Sequence, residues 1–431
     1  MMTDTISIQS KKVQGRQKWL IFIDWLLPFY IVCTVPLFYL GLRYEFLFKA
    51  GTILVTLFYI LRFGIGKSKA AKTFTVFCLL VALSFIQYTY NERPFICYIN
   101  DASNYLAAML YFYVGITDDR PGRTFYNKMM FSIAIVFILG LFCYVTTPPW
   151  YIDRNVEIMS QETGVEYGEN SMLEALRFGA FFGDSYSVSH LSVFCSAVAL
   201  FAIAYTQGRD RIIAIVCLIV GLVSSITSMH RASILGSVIA IVMYVYFNLK
   251  TDRHKANTIV ILLSIFVVLA LFMFLPSTTE RVGDIAGMVT ERVDDNMDLN
   301  KALQERKFTK ELMSGMKFFV FGHGLGSGGG SVRAFGFPGI TDMQYIKMFY
   351  ENGFVGAVLF ILIILRTIMR GVKYIRYYLT EIIIVLFILA AMMGSNSLSI
   401  YYFIVFPFWY AVGRINNSNY LQKVKRNEEW I

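Results

Sequence analysis

The feature that most constrains this chain is a recurring apolar run, close to the roughly 20 residues a helix needs to cross a bilayer core, punctuated by charged residues. Twelve such runs are read at about 19–40, 46–61, 73–90, 102–117, 129–147, 188–206, 212–228, 232–249, 257–275, 348–365, 379–396 and 398–413. The run at 102–117 is the weakest, because Asp101 and Asn104 crowd its start. Hydrophobic residues make up 56% of the 431 and charged residues 16%, against about 25% charged in a soluble domain. That balance excludes a soluble enzyme, a disordered chain and a disulfide-stapled secreted domain. Apolar and polar residues do not alternate with period two, so a membrane β-barrel is excluded as well. The expected fold is an all-α polytopic membrane bundle of about twelve transmembrane helices.

Lys and Arg exceed Asp and Glu by ten, and the distribution of that excess sets the orientation. With the N-terminus inside, the cytoplasmic segments hold 24 of the 39 Lys and Arg, among them Arg16, Lys72, Arg120, Arg123, Lys250, Arg370, Arg414 and Lys423. Nine of the remaining fifteen lie in one long external loop, where the positive-inside bias is weak. The net charge is therefore topology rather than a nucleic-acid footprint, and both termini are expected in the cytoplasm. The basic N-terminal stretch runs into an apolar segment too long for a signal peptide and lacks a small-residue cleavage site, so it reads as an uncleaved first span. The six cysteines are scattered, without a CxxC or a Cys/His cluster, which supports neither a disulfide framework nor a zinc site.

Two extracytoplasmic loops are long enough to suggest function: 148–187, and a larger helical one at 276–347, between the ninth and tenth spans. The first is acidic (Asp153, Glu157, Glu162, Glu166, Glu169, Glu174) and ends at Arg177, in ALRFGAFFGDSYS with Asp184 following. Arg177 is either a phosphate or sugar contact or a snorkelling anchor. Arg231, in TSMHRAS between two spans, is either an anion contact near the outer leaflet or a hairpin tip that reaches water, since guanidinium grips phosphate with two parallel hydrogen bonds. In the second loop Arg292 and Arg306 sit on expected surface helices; the stripe Leu312, Met316 and Phe319 gives Arg306 a seated, inward-facing option. A glycine-rich stretch, Phe321 to Gly330 (FGHGLGSGGG), is either an anion cradle of backbone N–H groups or a hinge. It lacks the GK[ST] ending of a nucleotide-binding loop. His323 and Asp342 are candidate bases, and His190 and His230 remain ambiguous.

Taken in order, these pieces resemble the O-antigen ligase and Wzy-type polymerase superfamily. Both ends lie inside, about twelve spans are present, and the large external loop falls where that family has it. RFGAF carries Arg177, Gly179 and Phe181; SMHRAS carries Arg231; ERKFTKELMSGMKFFVFGHGLG carries Arg306, Gly322, Gly324 and Gly326; DMQYIKMFYENGFVG carries Asp342, Tyr345, Glu351, Gly353 and Gly356. The resemblance is densest over 170–365. It departs from the ligases at TDMQY, where they have a histidine that serves as the candidate base. That favours a polymerase.

The resemblance implies a GT-C-like glycosyltransferase in the cytoplasmic (inner) membrane, metal-independent and without a cofactor. It would join polyprenyl-pyrophosphate-linked oligosaccharide donor and acceptor units into lipopolysaccharide O-antigen or another surface polysaccharide. Arg231 and Arg306 would stabilise the departing pyrophosphate, and Asp342 would act as base or orient the acceptor. Arg177, His323, Gly324, Gly326, Tyr345 and Glu351 would contact substrate. Its partners would be the lipid bilayer, a chain-length regulator and a flippase, with no nucleic acid. An O-antigen ligase and a lipid-linked oligosaccharide flippase or transporter are the alternatives; no internal repeat of the transporter kind is found.

Overall fold

The computed structural model describes residues 2–39, 45–66, 68–90, 93–120, 123–146, 148–151, 153–154, 178–182, 185–228, 230–248, 319–329, 332, 335–337, 340, 344–393, 398 and 402–426. Among the described residues the chain is all-helical, with no strand. The helices are α1 (Met2–Tyr39), α2 (Glu45–Phe63), α3 (Lys69–Leu83), α4 (Phe95–Met109), α5 (Tyr111–Thr117), α6 (Thr124–Thr146), α7 (Ser185–Tyr205), α8 (Gly208–Thr227), α9 (Arg231–Asn248), α10 (Gln344–Lys373), α11 (Ile375–Ala391), α12 (Tyr402–Ile415) and α13 (Ser418–Arg426). Among the described residues five segments are long and apolar enough to cross a membrane: Lys69–Thr89, Thr124–Thr146, Ser185–Tyr205, Gly208–Thr227 and Gln344–Lys373.

Most of the apolar runs lie on helices, because a helix is the local structure that satisfies every backbone hydrogen bond without water. Two runs behave differently. The run at 102–117 is split at Leu110 into α4 and α5, and α4 reaches back to Phe95 to include Asp101. The first helix extends back to Met2, well before the apolar run begins. The run at 257–275 lies outside the described residues.

Helix α7 is the hub. Its most apolar window is 89% buried, and it packs against α6, α8, α9, α11 and α12. Small side chains permit this: Ser192 and Ser196 face Gly221 on α8, where a Cβ would already press on the Ser196 hydroxyl at 3.0 Å. A close helix crossing joins α5 to α12. A Cβ on Gly115 would run into the Tyr410 carbonyl, and one on Gly413 into the Phe112 carbonyl. Such small-residue contacts are what draws helices together where lipid offers no hydrophobic driving force. Large apolar side chains point outward instead, among them Phe29, Leu54, Leu61, Phe142, Leu235 and Met369, which suits a lipid-facing surface.

Candidate functional site

Helix α11 runs between two polar clusters at opposite ends of the bundle. Near its start, Thr380 and Glu381 belong to one. Just beyond its end, the Met392 carbonyl accepts the Gln344 N–H that opens α10 in the other.

The second cluster is built on a break in α10. At Gly353 the backbone turns to φ 65°, ψ −171°, and the interrupted helix pairs with the glycine-rich stretch. Phe354 N–H and Val355 N–H donate to the carbonyls of Phe319 (2.9 Å) and Val320 (3.1 Å). In return, His323 N–H and Gly324 N–H donate to the carbonyls of Tyr350 and Glu351, both at 2.9 Å. Gly322, Gly324 and Gly326 all have positive φ. A side chain on Gly326 would also strike the Cys97 carbonyl, so glycine is required there twice over. The Tyr88 hydroxyl donates to the Leu325 carbonyl at 2.9 Å, and Leu325 N–H donates to the Ser84 hydroxyl at 3.0 Å. The stretch is therefore fastened to the 3₁₀ turn that follows α3, Ser84–Thr89, and to α10, and it lies close against α4.

A carboxyl group does occupy this cradle, and it is the protein's own. Glu351 Oε1 accepts N–H groups from Gly326 and Gly328, each at 3.1 Å. Lys347, one turn earlier, lies 3.7 Å from the same oxygen and donates to Asp101 Oδ2 at 2.8 Å. All three side chains are buried, and a buried charge is tolerable only when paired in this way. His323 stacks flat on Tyr350, with centroids 4.3 Å apart. Arg93 donates to the Tyr350 hydroxyl at 3.0 Å and lies over the rings of Tyr350 and Phe337. Tyr345 is partly exposed and donates to the Leu389 carbonyl at 2.6 Å.

A neighbouring group forms where α7, α8 and α9 meet. Phe178 N–H donates to the Thr227 carbonyl at 3.2 Å, and the Tyr151 hydroxyl donates to the Ala180 carbonyl at 3.1 Å. Residues 178–181 of the RFGAF element are thereby held against the end of α8, where Thr227 lies four residues before Arg231. Ala180 adopts φ 47° to make the turn. The His230 Nε2 lies 2.8 Å from the Ser185 hydroxyl, and its ring sits 4.0 Å from that of Tyr186. The His230 carbonyl accepts the N–H groups of Ser233 and Ile234, which places Arg231 at the first position of α9. Burial, with the nearby His190 adding to it, brings the His230 imidazole, in the turn between α8 and α9, down to about 4.

Of the residues expected to form a site, His323, Gly324, Gly326 and Glu351 come together at the α10 break. Arg231 contributes its backbone at the start of α9. Arg177, Arg306, Arg292, Asp342 and Asp184 lie outside the described residues, as does most of both long loops. Glu351 makes its hydrogen bonds to the glycine-rich stretch, so its visible role is to position that stretch.

The opposite cluster is one the sequence reading passed over. Arg120 donates to Asp24 through both terminal nitrogens (2.8 and 3.0 Å) and to Asp118 (2.7 and 2.9 Å). Arg414 lies 3.9 Å from Asp118, donates to the Tyr410 hydroxyl and the Arg120 carbonyl, and approaches Glu381 at 3.3 Å. That last contact is an ion pair whose angle falls short of a hydrogen bond. Arg123 completes the chain, donating to Glu381 at 3.1 Å and to Thr380, with its guanidinium 3.4 Å over Phe201. Arg120, Arg123 and Arg414, counted above among the cytoplasmic cations, are built into the bundle. Burial alone would raise the Asp118 carboxyl, but hydrogen bonds from Arg120 and Tyr410 and the charges of Arg414 and Arg120 outweigh it and hold the group below the usual carboxylate range. The available sequence signal is the acid inside an apolar run, Asp24 and Glu381, which is costly in lipid unless paired.

A family profile described as a domain of unknown function (DUF8712) matches residues 155–322. It takes in Arg177, Arg231 and Arg306 and ends at Gly322, short of the α10 break. No curated protein matches the chain. Among the described residues no cluster of His, Cys, Asp and Glu could hold a metal.

Proposed function

We propose that this membrane protein is a surface-polysaccharide polymerase, working on the outer face of the cytoplasmic membrane with about twelve spans and both termini inside. It joins polyprenyl-pyrophosphate-linked oligosaccharides: a sugar hydroxyl of one lipid-linked unit attacks the anomeric carbon of another, and polyprenyl pyrophosphate leaves. The observation that carries the reading is the Phe178–Thr227 hydrogen bond, which puts Phe178, next in sequence to Arg177, beside the turn that leads into Arg231. Two family elements some fifty residues apart in sequence thus share one end of the bundle. The positive-inside count supports placing that end, with the α10 break, outside, and the Asp24–Arg120–Arg414 end in the cytoplasm.

The chemistry asks for positive charge aimed at the leaving pyrophosphate as its charge develops. Arginine suits this because it stays protonated and can hold two phosphate oxygens at once. Arg231 and Arg306 take that role, with Arg177 assisting. Glu351 and Lys347 act as positioning residues that hold the glycine-rich stretch in place. Asp342 is assigned to acceptor orientation.

A carrier of lipid-linked oligosaccharide is the second reading, favoured by the broken helix at Gly353 and the charges buried beside it, features that transporters place at substrate sites. One preparation separates the two. The purified protein is placed in nanodiscs or vesicles with lipid-linked repeat units from its host and a metal chelator. A ladder of longer lipid-linked glycans, abolished in Arg231→Ala and Arg306→Ala, is expected. If Arg231→Ala leaves polymer length and yield unchanged, the leaving-group assignment is wrong. Movement of the lipid across the vesicle bilayer with no ladder makes the protein a carrier.

A further inference from the structure

We propose that His230 is the general base of the glycosyl transfer, held for that task by Ser185; this rests on the polymerase reading above. The reaction needs one. As the acceptor oxygen bonds to the anomeric carbon, the bond from that carbon to the pyrophosphate oxygen breaks and its electron pair leaves with the lipid. The hydroxyl proton must go to a neighbouring group. The final motif, TDMQY, has no histidine to receive it.

Three of the four histidines are described, and their surroundings separate them. His190 is buried inside α7, with its Nδ1–H donated to the Tyr186 carbonyl at 2.6 Å. His323 is buried flat against Tyr350. His230 is only half-buried and sits in a turn at the end of the bundle, next to the residue assigned to the leaving group. Its backbone is fixed by the first turn of α9, where its carbonyl accepts the Ser233 N–H at 3.1 Å and the Ser233 hydroxyl at 2.7 Å. Its ring is fixed by Tyr186 and by Ser185, 2.8 Å from Nε2. With Nε2–H donated to the Ser185 hydroxyl, Nδ1 carries the lone pair and takes the acceptor proton, a tautomer set by the partner of the other nitrogen. Ser185 is thus a positioning residue, much as the orienting group is in other base constellations.

Among the described side chains, the titratable groups around His230 are Tyr186 and His190 on α7, and Arg231 follows it in sequence. The imidazole is neutral at neutral pH, its pKa lowered to about 4 by burial and by His190, and it takes the proton as the acceptor oxygen bonds to carbon, when that oxygen is most acidic. The resulting imidazolium, next to Arg231, would add to the positive charge facing the pyrophosphate before passing its proton to water.

The test compares the whole protein with His230→Gln, His230→Ala and Ser185→Ala in nanodiscs, on host lipid-linked repeat units, with thermal unfolding as the check on folding. Removing a general base lowers turnover by about 10²–10⁴-fold. His230→Gln is expected to lose that much in kcat with KM unchanged, and His230→Ala to regain turnover when imidazole is added. Ser185→Ala is expected to lose less than His230→Gln. Turnover within a few-fold of the unsubstituted protein in His230→Gln overturns the assignment. So does a loss that raises KM, lowers the unfolding temperature and resists imidazole, since that describes a structural residue. A missing ladder in the unsubstituted protein is a different result: it overturns the polymerase reading itself.

Discussion

Replacing Arg414 by Ala tests whether the buried ion chain holds the bundle together. The side chain is 0% exposed, and its guanidinium touches Glu381, Asp118, the Tyr410 hydroxyl, the Arg120 carbonyl and the face of Tyr420. Without it, Glu381 keeps only Arg123, Thr380 gains nothing in exchange, and Asp118 is left to Arg120 and Tyr410. Two carboxylates then share less positive charge in a place water does not reach. Removing one partner of a buried pair costs about 3–5 kcal/mol, chiefly through the charge left uncompensated. Unfolding entropy grows with chain length, so for a chain of this size the shift in midpoint is about 5 °C. Heating in detergent, followed by size-exclusion chromatography of the surviving monodisperse protein, reads this directly. Glu381→Gln in the Arg414→Ala background should recover part of the loss, with a coupling of about 1–3 kcal/mol. If Arg414→Ala unfolds within a degree of the parent, or the two losses simply add, the charges are solvated and the reasoning fails.

Three further outcomes are expected. Glu351→Ala removes the acceptor of Gly326 N–H and Gly328 N–H and should cost about 2–3 kcal/mol; hydrogen exchange at 322–329 should accelerate while α7 and α8 keep their protection. Gly413→Val drives a side chain into the Phe112 carbonyl at the α5–α12 crossing and should yield little monodisperse protein, whereas Gly64→Ala, where a Cβ meets open space but φ is +86°, should cost only about 1–2 kcal/mol of strain. The third concerns acid. Because Asp118 titrates lower in the folded protein than in the unfolded chain, its stabilisation is complete above the ordinary carboxylate range near 4 and is lost as pH falls through the depressed folded value. Melting curves from pH 6 to pH 3 should show this acid limb, and Asp118→Asn should flatten it while lowering stability throughout.

The sequence by itself determined where the helices lie. Apolar runs of bilayer length leave the backbone one economical solution, and α2, α3, α6 to α9 and α10 to α12 all fall on runs read from the chain. The glycine pattern between 322 and 329 and the Glu-x-Gly at Glu351 also marked a special place. What the sequence left open was whether the glycine-rich stretch was a hinge or a cradle, because the answer depends on Glu351 coming back to fill it across a helix break. Charge pairing was hidden for the same reason. Asp101 and Lys347 are 246 residues apart, and Asp118 and Tyr410 are 292 apart. The sequence shows each as one charged or polar residue at the edge of an apolar run, where a water-facing residue and a buried one look alike. Only packing decides between them: once helices distant in sequence bring opposite charges within hydrogen-bond reach, desolvation is offset and the pair can sit inside the bundle.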